Sequence, residues 1–391
     1  MRFCYNVFIK MMILILKHKD EELLKFEVLK NIEEPVLKIL WKNNKKKNLL
    51  PLDLEVTENG LAKWIKRRNI PKNRAFVDAF LSKQGLSSNR PMNIISVSKG
   101  LSLNDVYWVV EKDFKGIFKD YNLYDNKFSS VLALIAFTGY GSSQKSEFSS
   151  SPEFTTNGML PKCWRRIAGN IYLYKGGTTG ASNTGNEPTS EVLAYQVGKK
   201  AGFNVIKYDL KKWEKVGKSP CSTCKLFTSK NISYIPVGRI VTSGAMAKVR
   251  EYYKRLGKKF EEALNEKIVF DAIICNTDRH FGNFGFLIDN KTNKIIEPAP
   301  LFDHGNSLFN FAGLDTWDSE KEFNKYVLAQ KPANYNDFIE EAKKYISKET
   351  KAKVKKLFNF KFTKNNKYSR NDRQLKMIEK VIRERAREII S

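Results

Sequence analysis

The stretch VFDAIICNTDRHFGNFGFLID, residues 269–289, decides how this chain reads. Its first seven residues close an apolar run that includes Phe260, Ala263, Leu264 and Ile268. Lys258 to Cys275 therefore predicts a helix that is apolar around most of its surface, and so buried. Directly behind it come Asn, Thr, Asp, Arg, His and Gly, residues that favour turns over helix, and Phe284 to Ile288 then reads as a strand. Inside the polar loop, Asp278 and Asn283 stand with four residues between them. That spacing has two readings. In one, the Asp and Asn side chains cap backbone groups of a turn. In the other they share the work of phosphoryl transfer, which needs a carboxylate for a hydroxyl proton and an amide oxygen for a Mg2+ ion.

Further along, EPAPLFDHGNSLF (297–309) places Asp303 after a short apolar step and before a Gly-containing turn, where a second carboxylate would reach a metal-bound phosphate. Upstream, IYLYK (171–175) is a short β-type run ending in Lys175. After the polar loop TTGASNTGNEP (178–188) a helix is expected, capped by Thr189 or Ser190, with Glu191 in its first turn. Its stripe is Val192, Leu193, Val197 and Ala201, and it stops at Gly202. A strand-end lysine ordinarily faces solvent, and a first-turn glutamate ordinarily serves the helix dipole. Four such elements in this order point instead to nucleotide-dependent phosphoryl transfer, with Lys175 and Glu191 as the ion pair that grips phosphates.

Around these motifs, Phe203 to Tyr208 and Lys225 to Thr228 read as further strands, and helices are expected at 335–347, 349–359 and 372–390. Met12 to Leu16 and Leu23 to Val28 read as a first β-hairpin, and small helices follow at 58–70 and 72–86. The segment 141–161, rich in Gly, Ser, Thr, Pro and Asn, reads as a mobile loop or linker.

The arrangement resembles the HipA-like serine/threonine kinases, the toxin kinases of bacterial toxin–antitoxin pairs. The resemblance is carried by TTNGMLPK (155–162), which looks like the family's S-x-x-G-x-x-x-K segment, by IYLYKGG (171–177) and by VFDAIICNTDRHFGNFGFLI (269–288). It spans about 150–310. It implies an ATP- and Mg2+-dependent kinase in which Asp278 is the catalytic base and Asn283 and Asp303 are metal ligands. Lys175 would grip phosphate with Glu191 as its partner, and Gly158 would let the backbone cover the β and γ phosphates, with Lys162 closing that segment. Thr155 stands where the family carries an autophosphorylated Ser, and the adjacent Thr156 is the alternative acceptor. Arg279 and His280 either bind phosphate or brace the loop. The fold this implies is α+β and two-lobed, with a small β-rich N-lobe (126–229, holding the Gly/Ser/Thr-rich loop) and a helical C-lobe with a basic last helix (230–391). Residues 1–125 form a mixed accessory region ahead of it. A protein substrate offering Ser or Thr, an antitoxin partner and a cytoplasmic location are implied with it.

The 391 residues carry a net charge of +27 with 42% hydrophobic and 12% aromatic content, which excludes disorder and collagen-like classes for the bulk. Most of the excess is dispersed lysine, and the longest basic run is only Lys45 to Lys47. Five cysteines at 4, 163, 221, 224 and 275 show no disulfide spacing and suit a reducing compartment. Cys221 and Cys224 lack two further zinc ligands at matching spacing. No stretch approaches a membrane span and no cleavable leader is evident, so neither secretion nor membrane insertion is expected. Two other functions fit the same sequence. One keeps the kinase-like fold and transfers phosphate to a small molecule or lipid headgroup. The other is a nucleic-acid-binding regulator with an inactive nucleotide site, suggested by the charge and the basic last helix.

Overall fold

A computed structural model of the chain describes residues 12–141, 151–179, 184–217, 219–243, 245–364 and 370–391. These fall into two compact units. The first comprises Met1–Met159 with Thr228–Ser233 and Asp289–Lys294, and the second comprises Leu160–Phe227, Tyr234–Ile288 and Ile295–Ser391.

In the first unit, strands β1 (Met12–His18), β2 (Glu21–Lys30), β3 (Val36–Lys42) and β4 (Tyr107–Glu111) form an antiparallel sheet ordered β3-β2-β1-β4. Alternation places Leu14 and Leu16 opposite Phe26 and Leu24, and these four pack with Leu61, Trp64 and Ile65 into one core. Helices α1 (Glu58–Lys66), α2 (Val77–Ser82), α3 (Pro91–Ser98), α4 (Phe118–Tyr121) and α5 (Ser130–Thr138) belong to the same unit. Thr57 and Ser129 cap α1 and α5 with their hydroxyls, and α5 ends on Gly139 at φ +76°, a left-handed stop that glycine adopts without strain.

The segment expected to be a loop or linker departs from its composition here. Residues 142–150 lie outside the described residues, but Pro152–Thr155 forms a buried 3-10 turn. Phe154 packs on Phe80 at 5.0 Å within a cluster that also holds Ile70, Ile94, Leu132 and Ile135. One aromatic ring and one buried ion pair, Arg74 to Glu153 at 2.8 Å, suffice to fix a stretch otherwise poor in apolar residues. The compact unit therefore runs to Met159, and α5, which the sequence reading counted with the N-lobe, packs against α2 in the first unit.

In the second unit, β5 (Lys162–Ile167), β6 (Asn170–Lys175), β7 (Tyr208–Lys212) and β8 (Pro220–Lys225) form an antiparallel sheet ordered β5-β6-β8-β7, with α6 (Glu187–Ala201) against it. The expected strands are shifted. Phe203 is taken into the helical core against Phe270, 5.5 Å between rings, Val205 makes only an isolated parallel bridge to Leu301, and the strand itself starts at Tyr208. The partner strand β8 ends where Lys225 was expected to begin it. A three-stranded sheet, β11-β10-β9, is made by β9 (Ile232–Pro236), β10 (Gly285–Asp289) and β11 (Lys294–Pro298). The remaining helices are α7 (Val237–Ile240), α8 (Met246–Leu256), α9 (Lys258–Ile274), α10 (Glu320–Ala329), α11 (Phe338–Tyr345), α12 (Lys348–Lys355) and α13 (Asp372–Ile390). The central helix α9 is buried as its all-round apolar pattern requires, and packs against α8, α11 and α13. Among the described residues no helix is long and apolar enough to cross a membrane.

Candidate active site

Lys175 is the last residue of β6, and the pairing register sets it opposite Lys162 on β5. Its ammonium points into the second unit. There Nζ donates to Glu191 Oε1 at 2.7 Å and contacts Asp303 Oδ1. Glu191 comes from α6, whose start differs from expectation: Asn186 is the cap, Pro188 sits in the first turn, and Thr189 and Ser190 are buried inside the helix. This moves Glu191 past the first turn, and its side chain is fully buried. Its second oxygen accepts the backbone N–H of His304 at 2.7 Å, so Glu191 holds Lys175 and the Asp303–His304 step together.

The charges shape one another. Burial pulls the Lys175 ammonium down, but the facing Asp303 and Glu191 carboxylates outweigh it and keep it above the usual lysine range. Burial pushes the Asp303 carboxyl up, yet Lys175, Lys162 and Arg279 together hold it below the usual carboxylate range. Glu191 stays raised because burial exceeds what Lys175 returns. Asp303 is the partly open member, its side chain 34% exposed against 8% for Lys175. Its backbone is left-handed at φ +58°, a conformation Asp tolerates, and its N–H donates to the Tyr208 hydroxyl at 3.1 Å.

The loop after α9 is built on a second buried network. Cys275 ends the helix in the left-handed region at φ +49°, and Asp271, one turn earlier, receives the Arg279 guanidinium at 2.9 to 3.1 Å. Arg279 also donates to Asn283 O, to Phe302 O and to His304 Nδ1, the last at 2.8 Å. Arg279 thus braces the loop from inside and ties it to the Asp303 segment, which settles one of the two roles left open for it. His304 accepts at Nδ1, so its proton sits on Nε2, and burial with the adjacent Arg279 charge keeps the ring neutral. His280 is exposed, and its Nδ1 accepts the Gly282 N–H at 3.0 Å.

Held this way, Asp278 receives its backbone support from Asn276 Oδ1 at 3.1 Å, and its carboxylate Oδ2 accepts from Asn306 Nδ2 at 2.9 Å. Asn306 is in turn supported by Asn310 Nδ2 at 3.3 Å. Asn283 commits its nitrogen to Asp278 O at 3.4 Å, which leaves the amide oxygen as the atom suited to a hard cation. Among the described residues no group of three or more His, Cys, Asp or Glu gathers as a metal cage. One carboxylate and one amide fit Mg2+, which keeps waters and phosphate oxygens as its remaining ligands.

Six of the residues singled out from sequence, Lys162, Lys175, Glu191, Asp278, Asn283 and Asp303, thus lie in the second unit, while Thr155, Thr156 and Gly158 lie in the first. Thr155 is buried there and its hydroxyl donates to Leu101 O at 2.9 Å, Thr156 donates to Pro152 O at 2.7 Å, and Gly158 is left-handed at φ +97°. Sequence reasoning missed Asp271, Tyr208, His304 and Asn306. Asp271 had a readable signal, a carboxylate at a core position of an apolar helix, which must find a buried partner. His304 and Asn306 stood inside the quoted DHGN run without a role.

No family model matches the sequence, and no curated protein matches it. Solved structures do. The Helicobacter pylori proinflammatory kinase CtkA aligns over 60% of this chain and 90% of its own at 18% identity, with a TM-score of 0.44 too low to bear on the fold. A chain from the complex of HipA, HipB and operator DNA of the Shewanella oneidensis MR-1 toxin–antitoxin system aligns over 95% of this chain and 96% of its own, at 12% identity and a TM-score of 0.52. That likeness reaches well beyond the 150–310 stretch where the sequence alone showed it. At such identity the agreement concerns the path of the backbone, and on that measure this chain has the HipA-like kinase fold.

Proposed function

We propose that the chain is an ATP- and Mg2+-dependent kinase that phosphorylates Ser or Thr of a protein. The observation that carries this reading is the Lys175 ammonium held between Glu191 and Asp303 in the same unit as the Asp278–Asn283 loop. Lys175 and Lys162 bind phosphate oxygens, and Glu191 fixes the direction of the Lys175 side chain. Asp303 and Asn283 would hold Mg2+, which would supply positive charge against the transferring phosphates. Asp278 takes the proton of the acceptor hydroxyl as the new O–P bond forms and the bond to the ADP oxygen breaks. Asn306 steers the Asp278 carboxylate through its hydrogen bond.

Thr155 or Thr156 is the autophosphorylation site in this reading, and the hydrogen bonds both hydroxyls make require the 152–156 turn to open first. A toxin role with a DNA-binding antitoxin partner is proposed by likeness to the HipA complex. The test is intact mass and phosphopeptide mapping of the full chain before and after Mg2+-ATP, beside Asp278→Ala. Phosphate gain in the wild type and none in the variant supports the kinase. Transfer to added metabolites with none to protein moves the acceptor to a small molecule. No nucleotide binding by calorimetry sinks the reading.

A further inference from the structure

Along α6, the second unit carries an open groove of about 960 Å3 that the phosphoryl-transfer reading does not use. Its lining combines an apolar floor, including Val192, Tyr195, Leu210 and Phe360, with five lysines and a single carboxylate. That carboxylate, Asp209, already faces Lys207 at 3.8 Å. Lys199, Lys200 and Lys361 are exposed along the rim. The far wall is fixed rather than loose, because Gln196 and Thr363 exchange two hydrogen bonds, Nε2 to Thr363 O at 3.0 Å and Thr363 N to Oε1 at 2.7 Å.

Four consecutive residues of β7, Tyr208 to Lys211, line the groove. Consecutive strand residues point to opposite faces, so the groove follows the edge of the strand and not one of its faces. β7 is the last strand of its sheet, and its outer backbone N–H and C=O groups are offered to an added strand.

We propose that this groove docks an extended acidic peptide segment of a partner protein, with apolar side chains on the floor and carboxylates on the lysine rim. The choice of a peptide over a nucleic acid rests on the combination of an apolar floor with a strand edge. Phosphates would answer the lysines alone, whereas a strand with alternating apolar and acidic residues answers both. The bland reading of Lys199 and Lys200, cations in the last turn of a helix, explains their place on α6 but not the apolar floor they border.

Occupancy of the groove is felt at the phosphoryl-transfer site through two residues. Tyr208 lines the groove and its hydroxyl holds the Asp303 N–H, and Val192 lines it next in sequence to Glu191. A bound strand stiffens both partners of Lys175. This regulatory half rests on the kinase reading, whereas the docking half does not.

The probe is a fluorescein-labelled peptide of about eight residues alternating Glu and Leu, a length that spans β7 in extended form. The control is the same peptide with Gln for Glu. Fluorescence anisotropy with the full chain at roughly 0.15 M salt is expected to show the Glu peptide binding at least about tenfold more tightly than the Gln peptide. The double variant Lys199→Glu with Lys200→Glu is expected to lose that preference while keeping the wild-type melting temperature. Lys321→Glu, an exposed lysine of α10 outside this groove, serves as a charge control and leaves the preference in place. Equal binding of the two peptides, no binding, or an undiminished preference in the double variant overturns the proposal. So does tighter binding of a single-stranded oligonucleotide that the double variant abolishes, which would make the groove a nucleic-acid site. Calorimetry of Mg2+-ATP on Asp278→Ala, with and without the Glu peptide, reads the coupling. A change in nucleotide affinity supports it, and nucleotide affinity that is present but unchanged overturns the regulatory half. If nucleotide does not bind at all, the kinase reading and the regulatory half fail together, and the anisotropy result still decides the docking half.

Discussion

The two units bury charge in different ways. In the first, each buried arginine meets its own carboxylate: Arg68 takes Asp105 through two hydrogen bonds of 2.8 Å, and Arg74 takes Glu153 at 2.8 Å. In the second, charges are shared. Lys175 serves Glu191 and Asp303, while Asp271 serves Arg279 and, at 3.4 Å, Lys267. Burial outweighs the help of Asp271 and leaves the Lys267 ammonium at about 8. A one-to-one pair is complete and closes a core, whereas a shared network with a partly open member retains capacity for an added charge. The difference separates a scaffold from a site, since perturbed and shared titratable groups gather where chemistry is done.

The sharpest way to break the comparison is Asp278→Ala, which removes a loop carboxylate that no cation pairs among the described residues. Phosphoryl transfer should fall about 10²- to 10⁴-fold, with nucleotide affinity and melting temperature near wild type. Normal turnover in a folded variant would remove Asp278 from the chemistry.

Glu153→Ala tests the first unit. Leaving Arg74 buried against an alanine should cost about 3–5 kcal/mol of stability, read by denaturant unfolding, with phosphate transfer to an added acceptor unchanged per folded molecule. An equal loss of activity in the folded fraction would mean the first unit is more than scaffold.

His18 gives the first unit a pH signature. Burial, with the neighbouring Lys19 charge, holds its imidazole at about 4, against about 6.5 in the unfolded chain. The folded value is the lower one, so the unfolded chain takes up the proton first as the pH falls. Stability is complete above about pH 6.5 and drains toward pH 4 at up to about 1.4 kcal/mol per pH unit. His18→Gln should flatten that part of the curve, and an unchanged slope would refute the assignment. His304, neutral and buried in the second unit, should keep its own acid loss in that variant.

Asn306→Ala sharpens the view of the site. Freeing the Asp278 carboxylate from its 2.9 Å donor should lower kcat about tenfold, the scale of one hydrogen bond to a charged group, with KM for ATP unchanged. A rise in KM alone would place Asn306 in binding. The smallest effect expected is from Thr155→Val, which removes the hydroxyl donated to Leu101 O and should cost about 1 kcal/mol. Phosphopeptide mapping of that variant also distinguishes Thr155 from Thr156.

What could be read from the sequence was what local pattern carries. The all-round apolar run of 258–275 gave a buried helix within one residue, and the period of 372–390 gave the last helix at its observed ends. Lys175, Glu191, Asp278, Asn283 and Asp303 were singled out because the phosphoryl-transfer reading constrains residue type and order along the chain, and all five lie in the second unit. The alternation of 12–28 gave the first hairpin. These are properties of neighbours in sequence, set by backbone geometry and side-chain period.

The rest was decided by contacts between residues far apart in the chain. Thr155 looked like part of an open loop until Arg74, 79 residues before Glu153, closed the turn around it. Phe203 looked like the start of a strand until Phe270 drew it into a helical core. Tyr208 and Asn306 carry no motif, and they acquired roles only when the fold set them against Asp303 and Asp278. A buried polar group must find a partner wherever the chain can supply one, and the sequence names the groups but not the distance between them. Only tertiary packing fixes that distance, and with it which carboxylate is shared, which is open and which is sealed.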